Sequence, residues 1–154
     1  MIEHYPSFFN KKECSNLIDL FSTNKVNFWE DNIYTFYSVD LKKSYTNIPK
    51  FKISDLDICR VQMVDGSIDQ VKNFHLHTLP IAFVIFLNED FKGGELIFSG
   101  KNRKNEIEYR PKTGDMVYFS GNEPHRVADC IGKRYTLVGF AKNDIISNRV
   151  RKII

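Results

Sequence analysis

Residues 83–98 read Phe83-Val84-Ile85-Phe86-Leu87-Asn88-Glu89-Asp90-Phe91-Lys92-Gly93-Gly94-Glu95-Leu96-Ile97-Phe98. The two ends of this stretch are rich in Phe, Val and Ile, which fit a pleated and half-buried surface. Polar residues stand between them, and we expect the pair Gly93-Gly94 to close a tight turn. The stretch therefore predicts two strands that are joined by a turn.

The same pattern of short apolar runs and turn residues continues on both sides of this stretch. Many short strands at roughly 8–12-residue spacing are typical of a β-sandwich or barrel. The candidate strands are Ile33–Leu41, Asp57–Val64, Val71–His77, Ile81–Asn88, Glu95–Ser99, Glu106–Arg110, Asp115–Phe119, His125–Asp129 and Arg134–Ala141.

One helix is predicted near the start, at about residues 11–22. Asn10 can cap this helix, and Glu13 stands three residues later, as in a capping box. Its apolar stripe, which we expect to pack on a sheet, consists of Cys14, Leu17, Ile18 and Phe21. A single N-terminal helix followed by many strands predicts a mainly β fold with a jelly-roll core, that is, a double-stranded β-helix.

The composition suits one domain over residues 1–154, with a β core at about 57–142. The net charge of +3 comes from scattered lysines, so a nucleic-acid partner is not expected. No apolar run approaches the ~20 residues of a membrane span, so no membrane partner is expected either. The three cysteines match no zinc or CxxC spacing, and the first residues, Met1 to His4, do not predict a signal peptide. We expect a reduced, cytoplasmic protein whose cysteines fill the core.

Three of the four histidines could address one point in space. His75 and His77 are two residues apart, and such residues share one face of a strand. His125 comes much later, at the start of another predicted strand. Three imidazole nitrogens that leave open coordination positions would suit a catalytic first-row metal such as Fe(II).

Several motifs together resemble the prolyl 4-hydroxylase-like family of Fe(II)- and 2-oxoglutarate-dependent oxygenases. Residues 83–98 resemble the strand–turn–strand that follows the first metal ligands in that family. Residues 111–119, with Pro111, Gly114 and Phe119, resemble the strand before its distal histidine. Residues 125–136 resemble the segment from the distal ligand to the basic residue that holds 2-oxoglutarate. The resemblance covers most of the chain.

The resemblance implies an enzyme that hydroxylates a C–H bond with Fe(II) as metal and 2-oxoglutarate as cosubstrate, and with ascorbate as a reductant. Its default substrate is a prolyl residue of a protein or peptide, although relatives also act on other side chains and on small molecules. The catalytic and metal-binding residues that it implies are His75, His77 and His125, and the cosubstrate-binding residues are Arg134, Thr136 and Tyr118. Arg134 suits this role because a planar guanidinium binds a carboxylate through two hydrogen bonds.

The chain departs from the family at two positions. The family uses H-x-D, whereas here His77 stands at the aspartate position. The metal site could therefore be a three-histidine site, could be completed by Asp65 or Asp69, or could be disabled. We favour the three-histidine site for its geometry. The second departure is Phe86, since some relatives have there a Tyr that binds the cosubstrate.

Two other functions remain open on the sequence. A cupin-like metal dioxygenase would use three histidines without 2-oxoglutarate. That class needs a Glu four or five residues after the second His, where this chain has Ile81 and Ala82, and it gives Arg134 no role. A degenerate oxygenase-fold binding module would explain the missing aspartate.

Overall fold

The computed structural model describes residues 1–30, 35–44, 47–65, 74–100 and 105–146. Its helices are α1 (Lys11–Thr23), α2 (Leu41–Ser44) and a 3-10 helix at Ile53–Asp55. The strands of the described part are β1 (Ile2–Tyr5), β2 (Asn27–Glu30), β3 (Thr35–Asp40), β4 (Ile58–Asp65), β5 (Ile81–Phe86), β6 (Lys92–Gly93), β7 (Leu96–Phe98), β8 (Ile107–Tyr109), β9 (Met116–Ser120), β10 (His125–Val127), β11 (Cys130–Ile131) and β12 (Lys133–Ala141).

These strands form one large antiparallel sheet and two small ones. Among the described residues, the large sheet has the order β1-β9-β5-β12-β4-β3-β2. The small sheets have the orders β10-β7-β8 and β11-β6. Apolar side chains of β5, β9 and β12 pack against those of β7 between the large and the three-stranded sheet. This arrangement confirms the predicted mainly β jelly roll with an N-terminal helix.

Helix α1 packs on the other face of the large sheet. The predicted capping box is present, because the Asn10 side chain accepts a hydrogen bond from the Glu13 backbone N–H and the Glu13 carboxylate accepts one from the Asn10 N–H, both at 2.8 Å. Such a cap stabilises a helix by about 1 kcal/mol. The helix buries Cys14, Leu17 and Phe21 against the sheet, as its apolar stripe predicts.

Strand β12 lies at the centre of the large sheet, between β4 and β5. Both of its edges are therefore paired, and its two faces are covered by the α1 side and by the three-stranded sheet, which explains its nearly continuous apolar run from Leu137 to Ala141. Side chains two residues apart share a face, so Arg134 and Thr136 lie together on the face that looks toward the small sheets. Tyr135 and Leu137 pack with the α1 side.

Most of the predicted strands are present. Those at 57–64, 81–88, 95–99, 106–110, 115–119, 125–129 and 134–141 differ from the observed strands by at most two residues at either end. The predicted strand Val71–His77 is not borne out in its described part, where only His75 makes a β-bridge, with His125. The backbone does not continue as a regular strand beyond His75, since the His77 N–H donates to the Gly121 carbonyl. Residues 33–34 of the first predicted strand and residues 71–73 lie outside the described residues.

All three cysteines are buried and free, as expected for core fillers. Burial raises the pKa of Cys14 to about 11 and that of Cys59 to about 12, which makes both thiols poor nucleophiles. None of the helices in the described part of the chain has the length and hydrophobicity that crossing a membrane requires.

Candidate metal centre

The structure brings the three predicted histidines together. His75 and His125 form an isolated antiparallel bridge, in which each backbone N–H donates to the other carbonyl, at 2.9 and 3.1 Å. The backbone N–H of His77 donates to the carbonyl of Gly121, which precedes His125 in the chain, at 2.8 Å. One ring nitrogen from each histidine lies within 4.8 Å of the other two. The convergence that the H-x-H spacing predicts is present, although it arises from one bridge and one hydrogen bond instead of a regular strand.

The spacing between His77 and His125 suits a shared metal ion. Their Nε2 atoms are 3.0 Å apart. Two imidazole nitrogens about 2.0–2.1 Å from one ion and at right angles to each other stand about 2.8–3.0 Å apart. The same distance allows a hydrogen bond between the two rings when no metal is bound.

The orientation of the His125 ring is fixed by its other nitrogen. Nδ1 lies 2.8 Å from the Glu123 carbonyl oxygen, which can only accept, so Nδ1 carries the proton. The lone pair of Nε2 then points toward His77. A backbone carbonyl that holds the far side of a ligating imidazole in this way is usual at metal sites.

The surroundings keep the imidazoles of His77 and His125 neutral. Burial lowers the pKa of His77 to about 3, with further contributions from His125, His75 and Arg60. Burial and the nearby His75 lower the pKa of His125 to about 4, against the opposing effect of the Glu123 hydrogen bond. Neutral imidazole is the form that binds a metal, so these two side chains could bind a metal at neutral pH without first losing a proton.

We expect the metal-free protein to lose stability between pH 6.5 and pH 5. Both histidines have folded-state pKa values below the unfolded value of 6.5, so the unfolded chain takes up protons first as the pH falls. The loss at pH 5 should be on the order of 1–2 kcal/mol per histidine. Thermal unfolding across this range measures it, with a His77→Gln/His125→Gln double variant as the control. A melting temperature that does not fall more steeply for the wild type than for this variant would contradict the expectation.

Arg134 and Thr136 form a second polar group in the same cavity. Arg134 is 2% exposed, and its Nε donates to the Gly94 carbonyl at 2.9 Å. Its Nη2 and the Oγ1 of Thr136 are buried and have no hydrogen-bond partner among the described residues. Burial lowers the pKa of Arg134 to about 10, so it is still a cation at neutral pH. A buried cation without a carboxylate is costly, and a bound carboxylate would satisfy both atoms.

The backbone of Gly94 shapes this group. Its φ of +72° lies in the left-handed region, and a Cβ there would stand 2.9 Å from Arg134 Cδ and 2.8 Å from the Phe91 ring. On the other side, the Phe86 ring lies 5.5 Å from the centre of the guanidinium. Gly94 therefore does more than close the predicted turn, because it leaves room for the Arg134 side chain and accepts its hydrogen bond.

Gly94→Ala is expected to weaken 2-oxoglutarate binding about tenfold and to destabilise the fold by about 1–2 kcal/mol. The added methyl group displaces Arg134, and the positive φ adds strain. Isothermal titration with 2-oxoglutarate and thermal unfolding measure the two effects. Gly100→Ala is the matched control, since Gly100 has a similar φ of +66° but its nearest contacts are with Asn105. Unchanged 2-oxoglutarate binding in Gly94→Ala, or an equal loss of binding in Gly100→Ala, would contradict a role of Gly94 in cosubstrate binding.

Tyr118 does not lie with the other predicted site residues. It pairs with Phe83 on the face of the large sheet that packs against α1. Its hydroxyl donates to Asp144 Oδ1 at 2.5 Å and accepts from the Ile145 N–H. Asp65 is not part of the histidine group, and Asp69 lies outside the described residues.

Two cavity residues are missing from the sequence-based prediction. Arg60 and Gln62 lie on β4 and line the cavity together with the histidines, Arg134 and Thr136. Gln62 is opposite Thr136 across the β4–β12 pair. The sequence feature that indicates them is that these two polar residues stand two positions apart in a stretch that is otherwise apolar from Ile58 to Val64.

A jelly roll that holds three imidazoles beside a buried cation has the features that a metal-dependent oxygenase with an acidic cosubstrate requires. A model of the 2OG-Fe(II) oxygenase superfamily matches residues 67–142. Residues 67–142 belong to this superfamily, and the chain that contains them is a dioxygenase that depends on Fe(II) and 2-oxoglutarate. The three imidazoles and the two partnerless polar atoms fit these two groups. No curated protein sequence matches the chain significantly.

Solved structures share the fold at low sequence identity. A 2OG-Fe(II) oxygenase family oxidoreductase from Burkholderia pseudomallei is 13% identical, has a TM-score of 0.72, and is similar over 92% of this chain and 86% of its own. A prolyl-4-hydroxylase from Pseudomonas putida is 16% identical over 93% of both chains, with a TM-score of 0.68. A prolyl hydroxylase from Trichoplax adhaerens, in complex with a hypoxia inducible factor peptide fragment, is 13% identical over 99% of this chain and 86% of its own, with a TM-score of 0.70.

Proposed function

We propose that this dioxygenase holds Fe(II) with His75, His77 and His125 and binds 2-oxoglutarate through Arg134 and Thr136. In this proposal the chain 1–154 is one catalytic domain that hydroxylates a C–H bond of a peptide or protein residue or of a small molecule. The observation that carries the proposal is the pair of buried polar atoms without partners, Arg134 Nη2 and Thr136 Oγ1, in the cavity that the three imidazoles line.

The residues of the chain bind, orient and exclude water. Arg134 offers its guanidinium, and Thr136 its hydroxyl, to the distal carboxylate of 2-oxoglutarate. Phe140 packs on the His77 ring at 4.4 Å and Phe119 on the His125 ring at 4.8 Å, which keeps the imidazoles in place and dry. Bound Fe(II) and 2-oxoglutarate supply the oxidation, in which one oxygen atom of O2 enters the hydroxyl product and the other enters succinate, with release of CO2.

Three histidines alone would also suit a cupin-like dioxygenase that does not use 2-oxoglutarate. The buried cation argues against that function, because such an enzyme gives Arg134 nothing to bind. Metal-dependent turnover that is indifferent to 2-oxoglutarate would support the cupin-like function instead.

The proposal is tested by anaerobic titration of the metal-free protein with Fe(II) and then with 2-oxoglutarate. A weak visible charge-transfer band is expected only after both additions, and oxygen should then release succinate in the presence of ascorbate. A prolyl-containing peptide and small-molecule candidates are tested as substrates. Intact folding without metal uptake or succinate would point to a degenerate binding module.

The ligand set is tested separately with His77→Asp. If His77 is a true ligand, the variant retains Fe(II), since a carboxylate also binds this metal, and it does not exceed the wild-type rate of succinate release. A variant that turns over while the wild type does not would show that the natural site is disabled.

A further inference from the structure

Gln62 brings a further polar side chain to the group that Arg134 and Thr136 form. It is half-buried on β4, directly opposite Thr136 of β12, and lines the same cavity. Opposite residues of an antiparallel pair share one face of the sheet, and their Cβ atoms are about 4.5–5.5 Å apart. The Gln62 side chain is therefore a direct neighbour of the Thr136 hydroxyl on the cavity face.

The Gln62 amide is oriented by a hydrogen bond from Arg60. Its Oε1 accepts from Arg60 Nε at 3.4 Å, and because a guanidinium can only donate, the oxygen is the amide atom that faces Arg60. The Arg60 guanidinium itself lies 4.8 Å from the centroid of the Phe36 ring. The Nε2 atom of Gln62 makes no hydrogen bond to any residue that the structure describes. Its two N–H groups can therefore bind a ligand in the cavity.

The neighbour of Thr136 on its other side provides no donor. This neighbour is Phe86 of β5, whose ring lies 5.5 Å from the centre of the Arg134 guanidinium. A carboxylate between Arg134 and Thr136 would thus have an apolar ring on the β5 side and the Gln62 amide on the β4 side. An ionised carboxylate has about four lone-pair sites, more than Arg134 Nη2 and Thr136 Oγ1 can fill. The described neighbour of Thr136 that can supply a further donor is Gln62.

We propose that Gln62 is a third cosubstrate-binding residue, whose Nε2 donates a hydrogen bond to the distal carboxylate of 2-oxoglutarate. The inference rests on the proposed function and deepens it. A hydrogen bond to an ionised acceptor is charge-assisted and about twice as strong as one between neutral groups. Gln62 therefore contributes to the choice of a 2-oxo acid that has a carboxylate at its far end.

The test compares two 2-oxo acids that differ only at the distal end. 2-Oxopentanoate has a methyl group where 2-oxoglutarate has its distal carboxylate, so both acids present the same keto-acid end to the metal. Each acid is titrated calorimetrically into the Zn(II)-loaded protein, in which no turnover occurs. Gln62→Glu keeps the size of the side chain and an oxygen that accepts from Arg60 but loses the donor, whereas Gln62→Met loses both. The control is Asn105→Asp, which adds a negative charge at an exposed position, and thermal unfolding verifies that each variant is folded.

Gln62→Met is expected to bind 2-oxoglutarate about tenfold more weakly than the wild type, and Gln62→Glu more weakly still, because the introduced carboxylate repels that of the cosubstrate. Both variants should bind 2-oxopentanoate within about twofold of the wild type, and Asn105→Asp should change neither affinity. An unchanged preference for 2-oxoglutarate in both Gln62 variants, or an equal loss of affinity for the two acids, would overturn the inference. If Arg134→Met loses the preference while both Gln62 variants keep it, the inference alone fails. A wild type that binds the two acids equally would overturn the proposed cosubstrate site as well.

Discussion

Replacing Arg134 with Met is expected to weaken 2-oxoglutarate binding at least about 100-fold while making the unliganded protein more stable. The lost hydrogen bonds to a carboxylate are charge-assisted and contribute about 1.5–3 kcal/mol each. The gain in stability follows because the unliganded fold buries a cation whose Nη2 has no partner among the described residues. Met fills a similar volume, so the free energy of unfolding should rise by about 1–2 kcal/mol despite the lost bond to Gly94.

Calorimetric titration with 2-oxoglutarate and denaturant unfolding of the unliganded protein measure these two effects. Arg110→Met is the matched control, because Arg110 is an exposed cation that pairs loosely with Glu95, at 3.6 Å. It should change neither quantity appreciably. An Arg134→Met protein that unfolds more easily and binds 2-oxoglutarate as well as the wild type does would mean that the guanidinium serves the fold and not the cosubstrate.

Replacing His125 with Ala is expected to lower Fe(II) affinity at least about 100-fold and to reduce succinate release to background. Among the three histidines His125 is the most enclosed, and its ring is aimed by the Glu123 carbonyl. In the proposed three-histidine site, losing one ligand removes a metal–nitrogen bond, an effect larger than the 10–100-fold typical of outer-shell changes.

Anaerobic competition with a chromophoric chelator measures this affinity, and the stabilisation of the fold by added metal gives a second readout. His4→Ala is the control, since His4 lies outside the histidine group and pairs with Asp115 at 3.0 Å. It should bind Fe(II) as the wild type does. Equal metal affinity in His125→Ala and His4→Ala would remove His125 from the ligand set.

Local signals in the sequence predicted much of this architecture. The capping box and apolar stripe of α1 depend on neighbours within one or two turns, so they are readable without tertiary information. The same holds for the apolar strands on either side of the Lys92–Gly94 turn. The sequence analysis does not predict the edge strands β1 and β2. Strand β1 is short and forms only through pairing with the distant β9, and β2 is a short edge strand that pairs only with β3, which follows it closely in the chain.

The candidate site depended more on register than on composition. The family resemblance predicts Arg134, and Thr136 follows because it stands two residues later on the same strand face; the structure places both in the cavity. Tyr118 was assigned to the same group, although Val117 and Phe119, its neighbours in the chain, are the residues of β9 that face the small sheets. Arg60 required the β4–β12 pairing to be known. Adjacent residues of a strand face opposite sides of the sheet, so a shift of one position separates a residue that lines the cavity from one that packs against the helix.

The central position of β12 in the large sheet also affects how the protein folds during its synthesis. Strand β4 pairs with β12 so that Arg60 is opposite Val138. The middle of the sheet therefore joins two segments that the ribosome synthesises at well-separated times. Until β12 pairs with β4 and β5, the edges of these strands that face it have unpaired backbone N–H and C=O groups to which other chains can bind. Aggregation competes with folding during this period. Contacts of such high sequence separation favour folding in milliseconds to seconds. Arg134 is part of that strand, so in the proposed function 2-oxoglutarate can bind only after β12 has paired with β4 and β5.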